Sequence, residues 1–201
     1  MNWFLAQVLS GLVFIPGSLL LVSKYHWTLF PIYMWKGLVV PYLSALHHSC
    51  DEGESCPGDF DWDGLLTMDA FAAAVAIGTI WVPLLTTFTM QMVWFTTVLI
   101  VNLIVFVHAG YLWGFTMANT ALAYLLFLFG LLKRVDIPDR RVFIPFFVVS
   151  SMAAAFFILA RNMEYNSFHL TFHLLAGAAS FLYDWALTRP DIRETVYIPI
   201  E

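Results

Sequence analysis

Charged residues are scarce in this chain. Asp, Glu, Lys and Arg make up 11% of its 201 residues, against 61% hydrophobic ones. Soluble domains run near one quarter charged, so composition points away from a soluble protein and predicts a membrane one, as does the mean hydropathy of +0.79. Basic residues are few, the net charge is -5 and no basic patch exists, which argues against nucleic acid as a partner. There is no low-complexity tract, no linker of any length and no separate soluble domain. No G-x-S-x-G elbow and no phosphate-cradling glycine loop occurs in a suitable context. No basic region precedes residues 3–22, and Pro16-Gly17 interrupts them, so this stretch reads as a retained first span and not a signal peptide.

What remains is apolar sequence in span-sized blocks. A membrane helix needs about 20 apolar residues. On that ruler the chain divides into seven spans, approximately residues 3–22, 28–49, 63–83, 90–108, 115–132, 142–160 and 165–187. Six is the competing count, because only a short Thr-rich turn near Thr86 to Thr89 separates the third and fourth. The expected architecture is an all-α polytopic seven-transmembrane helix bundle, a single domain over residues 1–201.

Basic residues gather on the cytoplasmic side of membrane proteins. With seven spans, the loops after spans 1, 3 and 5 share a side with the C-terminal tail, and that side holds Lys24, Lys133, Arg134, Arg140, Arg141, Arg189 and Arg193. The other side holds Arg161, and Lys36 lies within span 2. The N-terminus is therefore expected outside or in the lumen, and the C-terminus in the cytosol. Residues 50–63 fall outside and contain Asp51, Glu52, Glu54, Asp59, Asp61 and Asp63 with no Lys or Arg. Cys50 and Cys56 lie on this oxidising side, where disulfides persist. A bond between them would close a small acidic loop, and metal ligation by the thiols is the alternative.

Against this background four ionisable groups stand out: His48, Asp69, His169 and His173. Charge-bearing groups inside a bilayer are expensive and mark functional sites by default. Topology gives their depth. His48 ends span 2 on the outside, and Asp69 lies about 9 Å down span 3 at 1.5 Å rise per residue. His169 and His173 lie roughly 6 and 12 Å into span 7 on the same scale. All four fall in one layer near the outer face. His169 and His173 are four apart and share a helix face, as do Ser44 and His48. Three imidazoles with one position left open are a catalytic zinc arrangement, which activates water at neutral pH. Asp69 is placed to act as general base on that water, and Ser44 to orient it or support an oxyanion.

The remaining polar groups have plainer readings. His47 must point about 100° away from His48 on a helix, which makes it a lining or interfacial residue. His108 falls at the outer interface and His26 in a cytoplasmic loop. Lys36, in mid-span, either contacts a lipid headgroup or carboxylate or snorkels along the helix to the cytosolic interface, the second being the expectation. The abundant Phe and Trp fill spans and form an interfacial belt.

Ser44-x-x-x-His48, Asp69 at the start of span 3, and His169-x-x-x-His173 in the last span resemble the signature of the CREST superfamily of seven-span membrane proteins, which includes alkaline ceramidases, adiponectin-type receptors and the Per1 group. Gly11-Leu-Val-Phe-Ile-Pro16, Ser44-Ala-Leu-His-His-Ser-Cys50, Cys56 and Leu65-Leu-Thr-Met-Asp69 are similar to the branch that holds myomaker and the membrane domain of a GPI-directed phospholipase A2. The resemblance implies Zn2+ held by His48, His169 and His173, with Asp69 and Ser44 contacting the zinc-bound water and Cys50 paired to Cys56.

The function expected is a zinc-dependent intramembrane hydrolase acting on an ester or amide bond of a phospholipid or sphingolipid near the outer leaflet. The alternative is a myomaker-like fusion or remodelling protein in which zinc is structural. A receptor or transporter is disfavoured, since no paired broken helices and no polar path crossing the membrane are evident. Plasma membrane and endomembrane are equally open, and so is a homodimer.

Overall fold

A computed structural model describes residues 3–24, 30–50, 56, 61–80, 82–85, 88–109, 122, 125, 126, 128, 129, 139–163 and 166–191. The protein is all-α: among the described residues there is no strand. The first rod, at the first expected span, is built of α1 (Trp3–Ser10), a 3-10 turn (Gly11–Phe14) and α2 (Ile15–Lys24). The second rod is α3 (Phe30–Met34), a π-turn (Trp35–Val39) and α4 (Val40–His48). Then come α5 (Trp62–Gly78), a 3-10 turn (Val82–Leu84) and α6 (Phe88–Ala109). A 3-10 turn (Arg140–Phe143) leads into α7 (Ile144–Met163), and α8 (Asn166–Thr188) follows.

Prolines account for the irregular turns. A helical proline gives no N–H to the carbonyl four residues back, and its ring crowds that carbonyl. Pro16 and Pro145 sit just after 3-10 turns, and Pro41 sits just after the π-turn. The carbonyl that Pro41 would crowd belongs to Gly37, inside the π-turn. Pro83 acts similarly on the third span, expected over residues 63–83: its helix stops at Gly78, and the chain continues as a short 3-10 turn. At the other end Asp61 caps α5, its Oδ1 accepting from the Gly64 N–H at 2.7 Å.

Two described helical stretches, Thr89–Val107 and Arg140–Ala160, are long and apolar enough to cross a membrane, and Val8–Val22 is a shorter apolar helix. Only 17% and 22% of the two long stretches is buried, so large apolar side chains such as Val93, Ile104 and Val148 face outward. The fifth expected span, residues 115–132, lies outside the described residues except for Leu122, Leu125, Leu126, Leu128 and Phe129, which are helical.

The first rod packs against both the second rod and α8, and small residues let it approach them. Gly11 lies against Pro41 and Ser44, Gly17 against Phe181 and Asp184, Gly37 against Ser18, and Gly177 against Val13. Helices α7 and α8 form a closely packed hairpin, with Phe157 on Phe172 at 5.0 Å and Phe146 on Tyr183 at 5.2 Å between ring centroids. The apolar core gathers at one end, around Leu21, Tyr33, Phe143 and Tyr183, and the Tyr183 hydroxyl donates to the Ile80 carbonyl. His47, His48, His169 and His173 lie at the other end.

Candidate metal centre

His48 is the last residue of α4, and a disulfide between Cys50 and Cys56 follows directly, with a Cα–Cα distance of 4.4 Å. The pairing that the resemblance implies is therefore present, and thiol ligation to a metal is set aside. The helix closes behind His48 through local bonds, with the Ser49 N–H donating to the Ala45 carbonyl and the Cys50 N–H to that of His47. His169 and His173 occupy the first two turns of α8 and, four residues apart, present their rings from one face.

The three Nε2 atoms converge on one point. His48 lies 3.2 Å from His169 and 3.3 Å from His173, and His169 lies 2.9 Å from His173. Such a triangle is hard to satisfy by hydrogen bonding. Each neutral imidazole has one N–H and one lone pair in its ring plane, and three Nε2 atoms facing each other cannot all be donor to one neighbour and acceptor to the next along straight lines. A cation at their focus satisfies all three lone pairs together. Zinc–nitrogen bonds of about 2.0–2.1 Å at tetrahedral angles place nitrogens roughly 3.3–3.4 Å apart, close to the two spacings from His48, with the His169–His173 spacing shorter. The donor set therefore fits a metal ion. His173 is only 5% exposed, and its Nδ1 has no hydrogen-bond partner among the described residues, so its polar engagement runs through the triangle.

Asp69 is brought to the same place by α5. One of its carboxylate oxygens, a ring nitrogen of His47 and a ring nitrogen of His48 lie within 4.8 Å of one another. His47, expected as a lining or interfacial residue, is not at an interface with solvent. His47 is buried, its Nδ1 is 3.3 Å from Asp69 Oδ2, and its ring packs 5.4 Å from that of Trp62. The 100° step between adjacent helical residues aims His47 at α5 and His48 at α8, because α4 ends between the two. The doubled histidine was the available signal. Ser44, one helical turn before His48 on α4, is buried beside Gly11 of the first rod, and its Oγ has no hydrogen-bond partner among the described residues.

A second polar contact lies toward the opposite end. Lys36 does not snorkel. Its Nζ donates to both carboxylate oxygens of Asp184, at 2.5 and 2.7 Å, and sits 5.6 Å from the centroid of the Tyr183 ring. Asp184 is fully buried, with Gly17 opening the space for its carboxylate. Asp184 falls near the end of the last expected span, where an acidic residue would be solvated, so its position in the sequence gives no sign of this pair. His108 has no described side chain, and His26 lies outside the described residues.

Comparison of the chain with protein-family models and with curated proteins finds no match.

Proposed function

We propose that this protein is a zinc-dependent hydrolase of membrane lipids. We read it as a seven-span member of the CREST superfamily with its N-terminus outside or lumenal and its metal site toward that side. The observation that carries the reading is the Nε2 triangle of His48, His169 and His173 with the carboxylate of Asp69 beside it. The outward-facing apolar side chains of α6 and α7 support a lipid surround, since contiguous exposed apolar surface marks contact with something other than water.

His48, His169 and His173 would hold the ion through Nε2. When bound, zinc supplies a Lewis-acid centre that makes a nucleophilic water available at neutral pH. The rest is the work of the chain. Asp69 Oδ2 is restrained by His47, so the carboxylate is oriented to accept a proton beside the triangle and to return it to a leaving group. Burial of His47 and His173 keeps bulk water from the inner side of the site. A lipid would present its scissile carbonyl laterally, between helices. Phospholipid acyl esters rank first as substrate and ceramide-like amides second, a ranking that rests on the family resemblance.

The test is turnover of acyl-labelled phospholipids and of ceramide by purified protein, beside Asp69→Asn. Release of fatty acid that is lost in the variant, with zinc retained, is the expected result. Undiminished release by Asp69→Asn contradicts the assignment of Asp69.

A structural role for the ion is the second reading, as in a fusion or remodelling protein of the myomaker kind. One observation favours it: the ligands come from α4 and α8, far apart in sequence, so an ion would clamp the two. Metal ligation can supply folding free energy on the order of 10 kcal/mol. A cell-mixing assay separates the readings, since a fusogen raises the frequency of multinucleate cells.

A further inference from the structure

The second rod and α8 touch through side chains at two levels. His48 meets His169 and His173 at one, and Lys36 meets Asp184 at the other. Sequence number rises along one helix as it falls along the other, so the two run antiparallel with two polar rungs between them. On α8, His173 and Asp184 are 11 residues apart, which is about 17 Å along the axis and about 20° in angle at 1.5 Å and 100° per residue. They share a face. On the second rod, Lys36 and His48 are 12 residues apart, and in an unbroken α-helix they would point about 120° apart. Both could not then face α8.

The π-turn Trp35–Val39 begins beside Lys36. A π-turn takes up one residue more than an α-turn, which turns the phase back by about 100° and leaves Lys36 and His48 about 20° apart. That matches the facing pair on α8. Pro41 enforces the turn by crowding the Gly37 carbonyl, and Gly37 and Gly17 leave room for Ser18 and Asp184.

We infer that the Lys36–Asp184 pair and the π-turn form a register lock that holds the rotation and height of His48 against His169 and His173. Lys36 and Asp184 are positioning residues for the metal centre, acting at a distance of about 17 Å along the helices. A buried ion pair adds little net stability compared with well-packed apolar residues, and its best-attested use is to fix register. The inference rests on reading the three histidines as a metal site.

The test is zinc release from the purified full-length chain to excess chelator, together with the visible spectrum of the Co2+-substituted protein. Wild type should hold one zinc; a wild type that binds none overturns the metal reading itself. With that established, Lys36→Met with Asp184→Leu should fold but release zinc at least tenfold faster, with an altered Co2+ spectrum. Lys36→Arg, which keeps the pair, should behave as wild type. Insertion of one alanine after Leu38, an exposed residue of the π-turn, leaves both charges in place and turns His48 by about 100° relative to Lys36. It too should release zinc at least tenfold faster, and it decides the matter if the double variant does not fold. Wild-type release rates and spectrum in the double variant or the insertion overturn the register lock while leaving the metal site standing.

Discussion

Nδ1 of His47 lies 3.3 Å from Oδ2 of Asp69, while the adjacent His48 turns its Nε2 to His169 and His173. One helix end thus turns one imidazole toward the two histidines of α8 and the other toward the carboxylate of α5. The outer partners of a metal site typically matter 10–100-fold to its affinity or activity.

Replacing His47 by Phe should therefore keep zinc at one per chain and lower lipid turnover by about 10–100-fold. Metal content and turnover measured on the same preparation check this. Unchanged turnover means that Asp69 needs no brace.

Removing one partner of the buried ion pair leaves the other charge uncompensated. Lys36→Met alone should lower stability by about 3–5 kcal/mol, and adding Asp184→Leu should restore most of it. Thermal unfolding of the detergent-solubilised variants reads both steps. A single variant as stable as wild type would show that Asp184 finds other compensation.

Glycines at the rod contacts should resist even a methyl group. A Cβ at Gly177 would meet the Val13 side chain and lie 3.1 Å from its carbonyl oxygen. Gly177→Ala should lose about 1–3 kcal/mol, the usual range for overpacking. Melting temperature is the measure.

The Cys50–Cys56 bond closes a short loop immediately after His48. Chain-entropy reasoning gives a loop of this size about 2 kcal/mol. The Cys50→Ser, Cys56→Ser variant should melt correspondingly lower, and wild type should show no reactive thiol until reduced.

Much of this was legible in the sequence, for physical reasons that also explain what was not. Hydropathy locates helices because apolar length is a local property, and it placed α6, α7 and α8 within a few residues of where they lie. The His169 and His173 pair was legible because spacing of four fixes a shared face. Convergence with His48 followed from depth alone. The π-turn was not legible, because one extra residue leaves hydropathy unchanged while rotating everything beyond it. Asp184 could be recognised only through Lys36, a partner 148 positions away. The direction of His47, turned away from His48, was legible, but not the helix that stands there.

Metal content by mass spectrometry bears most directly on the central claim. Wild type should carry one zinc per chain, and the His169→Ala, His173→Ala double variant should carry none while remaining folded. A folded wild type free of chelator that carries no zinc would contradict the account, leaving the three imidazoles as packing residues and the hydrolase without its chemistry.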